Sequence, residues 1–137
     1  MVQDWRAKAA ADGIAVSRER LRSAQILAEA GQYRDAISRS YYAVLAAANA
    51  CLAARGVRTR SHAGTIAQFS LLFIQTGIIP REYGRSFARI EGQRMDADYE
   101  MSKAFSAQQA AMILGMAQEF VQRAENLLPD LLSEGKT

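Results

Sequence analysis

Ile37-Ser38-Arg39-Ser40-Tyr41-Tyr42-Ala43-Val44-Leu45-Ala46-Ala47-Ala48-Asn49-Ala50-Cys51-Leu52 decides the fold. Ile37, Tyr41, Val44, Leu45, Ala48 and Leu52 recur at spacings of three and four, the pattern of a helix with a buried face. The interleaved alanines favour helix and keep it slim, so neighbouring helices can approach closely. The spacing predicts a helix from about Tyr33 to Arg55, ended by Gly56. The apolar run Tyr41 to Ala54 is broken by Asn49, and at that length it suits a buried core helix better than a membrane span.

Upstream, a first helical region runs from about Asp4 to Ala30. Gly13 and the β-branched residues near it are expected to break it, with Ser17 restarting it as an N-cap before an acidic first turn. Gly31 then occupies the usual position just past a helix end. Downstream, Ser61 is a cap for a third helix, His62 to Thr76, burying Ile66, Phe69 and Phe73 and closed by Gly77. Pro80 opens a fourth. Gly84 and Gly92 each weaken that helix by roughly 1 kcal/mol relative to alanine, which implies close packing against another backbone. A last helix starts after Ser106 and carries Leu114, Ala117, Val121, Ala124 and Leu128 on one face. Pro129 is expected to kink or fray its end, and residues 133–137 read as a disordered tail. The sum is an all-α, antiparallel bundle of four to five helices, one domain over 1–137 with its core at about 17–130.

With 137 residues, half of them apolar, the chain can bury one real core. The first residues carry charge where a signal peptide would need an apolar run. A single cysteine, Cys51, cannot make an internal disulfide, so a reducing cytoplasm is the expected setting. Through Arg60 there are ten Lys/Arg against five Asp/Glu, and beyond it seven against nine. A basic front half is compatible with an anionic partner, but a net charge of +3 does not demand one.

The fourth helix holds the candidate site, Ile90-Glu91-Gly92-Gln93-Arg94-Met95-Asp96-Ala97-Asp98-Tyr99. At about 100° per residue, Tyr83, Phe87, Ile90 and Arg94 fall within a wedge of roughly 60°. A guanidinium on a core-facing stripe is costly to desolvate, so Arg94 must be paired or must face a cleft. The paired alternative is a structural cluster with Asp96, Asp98 or a carboxylate on another helix. Tyr99, with an ordinary phenol pKa near 10, is a poor base at neutral pH. His62, near a helix N-terminus, reads as a capping or hydrogen-bonding residue unless it faces a site. Asp35 and Arg39 have the spacing of a surface ion pair, and Arg81, Arg85 and Arg89 form a solvated stripe. No Gly-rich phosphate loop, zinc spacing or calcium loop is present, so no cofactor or metal is expected.

Ala36-Ile37-Ser38-Arg39-Ser40-Tyr41-Tyr42-Ala43, then Ser61-His62-Ala63-Gly64, then Arg94-x-x-Ala97-Asp98-Tyr99, in that order, resemble the HEPN domain superfamily, in its bacterial and archaeal branch with a Tyr-Tyr-Ala helix. The resemblance covers roughly residues 17–130. It implies a helical bundle that homodimerises around a shared cleft. Its active members resemble metal-independent ribonucleases with an Arg-x4-6-His motif, the arginine on phosphate and the histidine activating a ribose 2′-hydroxyl. Such members are often toxins paired with a small nucleotidyltransferase, which in some cases adds AMP to a motif tyrosine. Here Arg94 matches the arginine, but Tyr99 stands where the histidine would be. General-base catalysis wants a pKa near working pH, so phosphate binding is favoured over efficient cleavage.

The expectation is therefore an RNA- or nucleotide-binding protein, the toxin-like or accessory partner of a nucleotidyltransferase. Arg94 would contact phosphate, with Asp98 orienting it or taking a proton. Tyr99 would meet a base or ribose, or be modified. Arg39, Tyr42 and His62 would line the same cleft. The alternatives are an interaction module with a structural Arg-Asp cluster, and a weak ribonuclease in which Asp98 or His62 replaces the missing histidine.

Overall fold

A computed structural model describes residues 4–134. The elements in chain order are α1 (Asp4–Glu29), α2 (Tyr33–Ala54), α3 (His62–Phe69), a π-helical turn (Ser70–Ile74), α4 (Arg81–Tyr99) and α5 (Ala107–Glu134). No strand occurs among the described residues, and the all-α bundle expected from the sequence is what forms.

The alanine-rich helix α2 lies at the centre and packs against α1, α3, α4 and α5. Fourteen of its 22 residues are buried, on more than one face, as a helix surrounded by others requires. Between α3, α4 and α5 the core is aromatic: Phe69, Phe73, Phe87 and Phe120 have ring centroids 5.3–5.8 Å apart. Such offset and edge contacts add to what area burial alone provides.

Helix α1 runs without the break expected at Gly13. A Cβ built on Gly13 would lie 2.9 Å from the Ala50 Cβ and 3.2 Å from the Ala46 carbonyl oxygen. The glycine is therefore the contact that lets α1 and α2 come together, and packing outweighs its low helix propensity. Ser17, expected as a cap, is instead buried mid-helix, its hydroxyl donating to the Ala43 carbonyl at 2.7 Å. Arg6 reaches the other end of α2, donating to the Ala54 carbonyl at 3.1 Å. Gly31 at φ +81° turns the chain between α1 and α2 in the left-handed conformation that suits glycine.

Ser61 caps α3 as expected, its hydroxyl oxygen accepting from the Gly64 amide at 2.9 Å. The helix then differs from the expected single run to Thr76. After Phe69 it widens into the π turn, closed by the Gln75 amide on the Ser70 carbonyl at 2.8 Å. Helix α4 follows Pro80 and buries Phe87, Ile90, Arg94 and Ala97. Gly84 faces the Ile74 side chain rather than a backbone, and a Cβ at Gly92 would meet nothing within 4 Å, so neither marks the backbone contact the sequence suggested. Helix α5 continues through Pro129 to Glu134, so Ser133 and Glu134 belong to the helix and not to a tail. The remainder of the expected tail, 135–137, lies outside the described residues.

Gly13→Leu is expected to lower stability by about 1–3 kcal/mol through overpacking against Ala50, whereas Gly92→Ala, made into open space, should raise it by up to about 1 kcal/mol. Urea denaturation followed by circular dichroism measures both. Cys51 supplies a second test. Fully buried in α2, its thiol is pushed up from 9.0 to about 12 by loss of solvation. The folded chain thus keeps a neutral thiol while the unfolded chain ionises, so this contribution is intact below about pH 9 and is lost as pH rises toward 12. Between pH 8 and pH 10 the wild type should lose about 1 kcal/mol more stability than Cys51→Ala.

Candidate functional site

Helix α4 runs antiparallel to α2, as two contacts fix. Arg34, in the first turn of α2, donates to the carbonyls of Ala97 and Glu100 at the end of α4 and of Lys103 beyond it. Further along α2, Tyr41 meets Arg94, which lies earlier in α4. The Arg34 guanidinium also sits 5.2 Å from the Phe105 ring centroid. It thereby satisfies carbonyls that every helix end leaves without partners. Nothing local in the sequence announces this role, because the acceptors come from the other end of the chain.

Arg94 is buried, at 7 % exposure. Its Cζ lies 4.4 Å from the Tyr41 ring centroid, a cation–π contact sheltered from water. The Asp98 carboxylate, one turn on, is 3.5 Å from Nη1. Among the described residues, neither the buried Arg94 Nε nor the buried Tyr41 hydroxyl makes a hydrogen bond of ordinary geometry, although the two side chains interact closely. Burial works against the charged guanidinium, but Tyr41, Tyr42 and Asp98 outweigh it, and the pKa of Arg94 rises above its already high ordinary value. The group stays charged. Burial pushes the Tyr41 phenol up, with the Arg94 charge pulling partly the other way. Asp96 takes no part in this pairing; its carboxylate binds Lys103 in the loop after α4. The expected Arg-Asp cluster is thus reduced to Arg94 and Asp98.

From Tyr41 the contacts pass outward through rings. Tyr41 and Tyr42 meet edge to face at 5.2 Å, Tyr41 and His62 at 5.9 Å, and Tyr42 and His62 at 5.7 Å. His62 is exposed at the start of α3 and does not cap it, and its side chain makes no hydrogen bond among the described residues; Ser61 does the capping. Tyr42 and His62 open onto a groove of about 430 Å³, lined also by Arg20, Arg39, Leu45, Ala46 and Asn49. The Arg20 Cζ lies 5.8 Å from the Tyr42 ring centroid. Arg39 forms no ion pair with Asp35 and is free to face the groove. Three of the sequence candidates, Arg39, Tyr42 and His62, therefore come together, with Arg94 directly behind them through Tyr41.

Tyr99 does not join them. It is 65 % exposed at the end of α4, and five residues beyond Arg94 it points about 140° away around the helix. Met95 and Met101 are exposed beside it in the chain. Sequence reasoning missed Arg20 and Asn49. The available signal was Asn49, the lone amide in an alanine run. A larger cleft of about 710 Å³ lies between α3 with its π turn and α4; Ile66, Phe69, Ile74 and Phe87 form its apolar part, and Arg81, Arg85 and Glu91 also line it. Both have cations and rings; we assign the site to the smaller groove because it gathers the sequence candidates Arg39, Tyr42 and His62 in front of Arg94. Arg81, Arg85 and Arg89 are exposed as expected. Among the described residues, no group of three or more His, Cys, Asp or Glu side chains is placed to hold a metal. Nor is any helix long and apolar enough to cross a membrane.

The HEPN domain family matches residues 10–127. Among curated relatives, a Methanocaldococcus jannaschii protein named "Putative toxin" is 36 % identical over 119 residues, 87 % of this chain and 88 % of its own. A UPF0332 protein of Pyrococcus horikoshii is 43 % identical over 72 residues, 53 % of this chain and 51 % of its own. Another UPF0332 protein, from Thermotoga maritima, is 28 % identical over 131 residues, 96 % of this chain and 93 % of its own. With its helical bundle, its Tyr-Tyr-Ala helix and this match over most of its length, the chain belongs to the HEPN domain family.

Proposed function

We propose that this is a toxin-like HEPN protein that binds single-stranded RNA or a nucleotide at the groove between α2 and α3, with Arg94 supplying positive charge from behind. The observation that carries the reading is the buried, charged Arg94 behind the Tyr41–Tyr42 pair; its one carboxylate neighbour among the described residues, Asp98, stands at 3.5 Å. A guanidinium so held keeps its charge beneath the rings, where it adds to the positive potential felt by an anion in the groove. The exposed Tyr42–His62 edge and the cations Arg20 and Arg39 match what single-stranded nucleic acid requires, rings for bases and positive charge for phosphates. The toxin name of the archaeal relative supports the same class.

Binding is favoured over cleavage. Asp98 is engaged with Arg94, His62 touches rings rather than a nucleophile, and Tyr99 faces away. The motif resemblance implies a nucleotidyltransferase partner, which this proposal includes, and the exposure of Tyr99 supports it as the tyrosine such a partner would modify. The apolar surface of Met95, Tyr99 and Met101 supports a second copy of the chain meeting this one near the end of α4. A second reading has its own observation, the contact of Arg94 with both Tyr41 and Asp98, which makes the arginine a packing element of α2 and α4.

Fluorescence anisotropy with a labelled ten-nucleotide single-stranded RNA separates the two. Arg94→Ala is expected to weaken binding at least tenfold while circular dichroism still reports a folded helical protein. Arg94→Lys, which keeps charge but loses the planar fork, should fall between. A melting temperature lowered by several degrees with RNA affinity unchanged would establish the structural reading instead.

A further inference from the structure

The groove beside Tyr42 and His62 continues past Asn49. That residue also lines a second hollow of about 250 Å³, bounded by Trp5 and Gly13 of α1 and by Arg58 and Thr59 of the loop before α3. Arg39, Tyr42, Ala46, Asn49 and Ala53 follow one another at steps of three and four, so both hollows open along one face of α2. From Tyr42 to Ala53 the helix rises roughly 16 Å, about five steps of a stacked strand at about 3.4 Å per nucleotide. Arg20 and Arg39 stand at one end of this furrow and Arg58 at the other. Among the described residues, neither hollow is lined by Asp or Glu. Arg58 is exposed but held. Its Cζ lies 4.0 Å from the Trp5 ring centroid, the closest cation–π contact among the described residues. Before it, the Val57 amide donates to the Leu52 carbonyl at 2.9 Å; after it, the Thr59 hydroxyl meets the Asn49 amide at 3.3 Å. The indole takes one side of the guanidinium, and the exposure of Arg58 leaves the other to solvent.

We propose that Trp5 and Arg58 form a second nucleotide-stacking site, and that single-stranded RNA runs along α2 from the Tyr42–His62 groove, over Asn49, to lay a base on the Arg58 guanidinium. The inference deepens the RNA-binding reading and rests on it. Guanidinium planes stack unpaired bases as aromatic rings do, and they bring positive charge to the adjacent phosphate. Arg58 makes the contact, and Trp5 is a positioning residue that holds it before RNA arrives, which lowers the ordering cost of binding. Two sites about three helical turns apart cannot both be reached by one nucleotide. Linked occupancy of the two then makes affinity depend on the length of the strand.

The test follows labelled two- and eight-nucleotide oligouridylates by anisotropy and, in the same titration, the emission of Trp5, the chain's one tryptophan. Wild type is expected to bind the eight-mer at least about tenfold more tightly than the dinucleotide, and the eight-mer should quench Trp5 emission with the same midpoint. Arg58→Ala should weaken eight-mer binding about tenfold, the loss typical of one stacked base, and leave dinucleotide affinity unchanged. It should also reduce the slope of log K against log salt by about 0.7, one phosphate contact on a single strand. Arg60→Ala removes the same charge from an exposed neighbour that lines neither hollow, and should leave eight-mer affinity nearly unchanged. An eight-mer that binds without altering Trp5 emission, or that binds Arg58→Ala as tightly as wild type, would overturn the inference and leave the RNA-binding reading standing. An equal loss in Arg60→Ala would do the same, since it marks bulk charge alone. Binding of neither oligonucleotide by the wild type would remove both.

Discussion

The approach of α1 to α2 at Gly13 is the constraint on which the rest of the molecule depends. With hydrogen in place of a side chain there, α1 rests against Ala46 and Ala50, and the alanines of α2 allow the same closeness on its other sides. Interiors are packed at near-crystalline density, so a gap of one methyl group at this crossing would be felt throughout. Because α2 is thin, four other helices reach it, and the residues it projects become the floor of everything nearby. Tyr41 and Tyr42 show the consequence: adjacent in sequence, they face different surroundings, one fully buried under Arg94 and the other opening to the groove.

Charge is handled differently on the two sides of this floor. Inward, Arg94 is kept ionised by an aromatic face and a carboxylate at the edge of contact, an arrangement that leaves its Nε and the Tyr41 hydroxyl, among the described residues, without a hydrogen bond of ordinary geometry. Unmatched buried polar atoms cost free energy and persist where something else is gained. Outward, the arginines of the groove are solvated, and the rings between the two layers couple them without a continuous chain of hydrogen bonds. The fold thus sets a buried cation on one side of a pair of tyrosines and, on the other, the half-buried Arg20 and the exposed Arg39.

Much of this was legible in local patterns. The period of α2, the Ser61 cap, the stop at Gly77 and the stripe that buries Arg94 all depend on residues within a turn or two of each other. What was not legible depends on partners far along the chain. Gly13 looked like a breaker because its reason, Ala50, lies in the next helix, and Ser17 looked like a cap because its acceptor, Ala43, does too. Tyr99 looked like a substitute for a histidine by counting along the chain, but helical rotation carries it away from Arg94. Asn49 stood out by composition alone, and its neighbours Thr59 and Thr65 come from the loop before α3 and from α3 itself.

The clasp made by Arg34 reaches further than the carbonyls it satisfies. It fastens the close of α4 and the bend that follows to the very helix that, a little over one turn later, presents Arg39 to the groove. A body seated on Met95, Tyr99 or Met101 would press on a segment braced against the root of α2. That outer ledge and the groove wall are therefore held by one brace, so their relative position is fixed by Arg34 rather than left to the loop between α4 and α5.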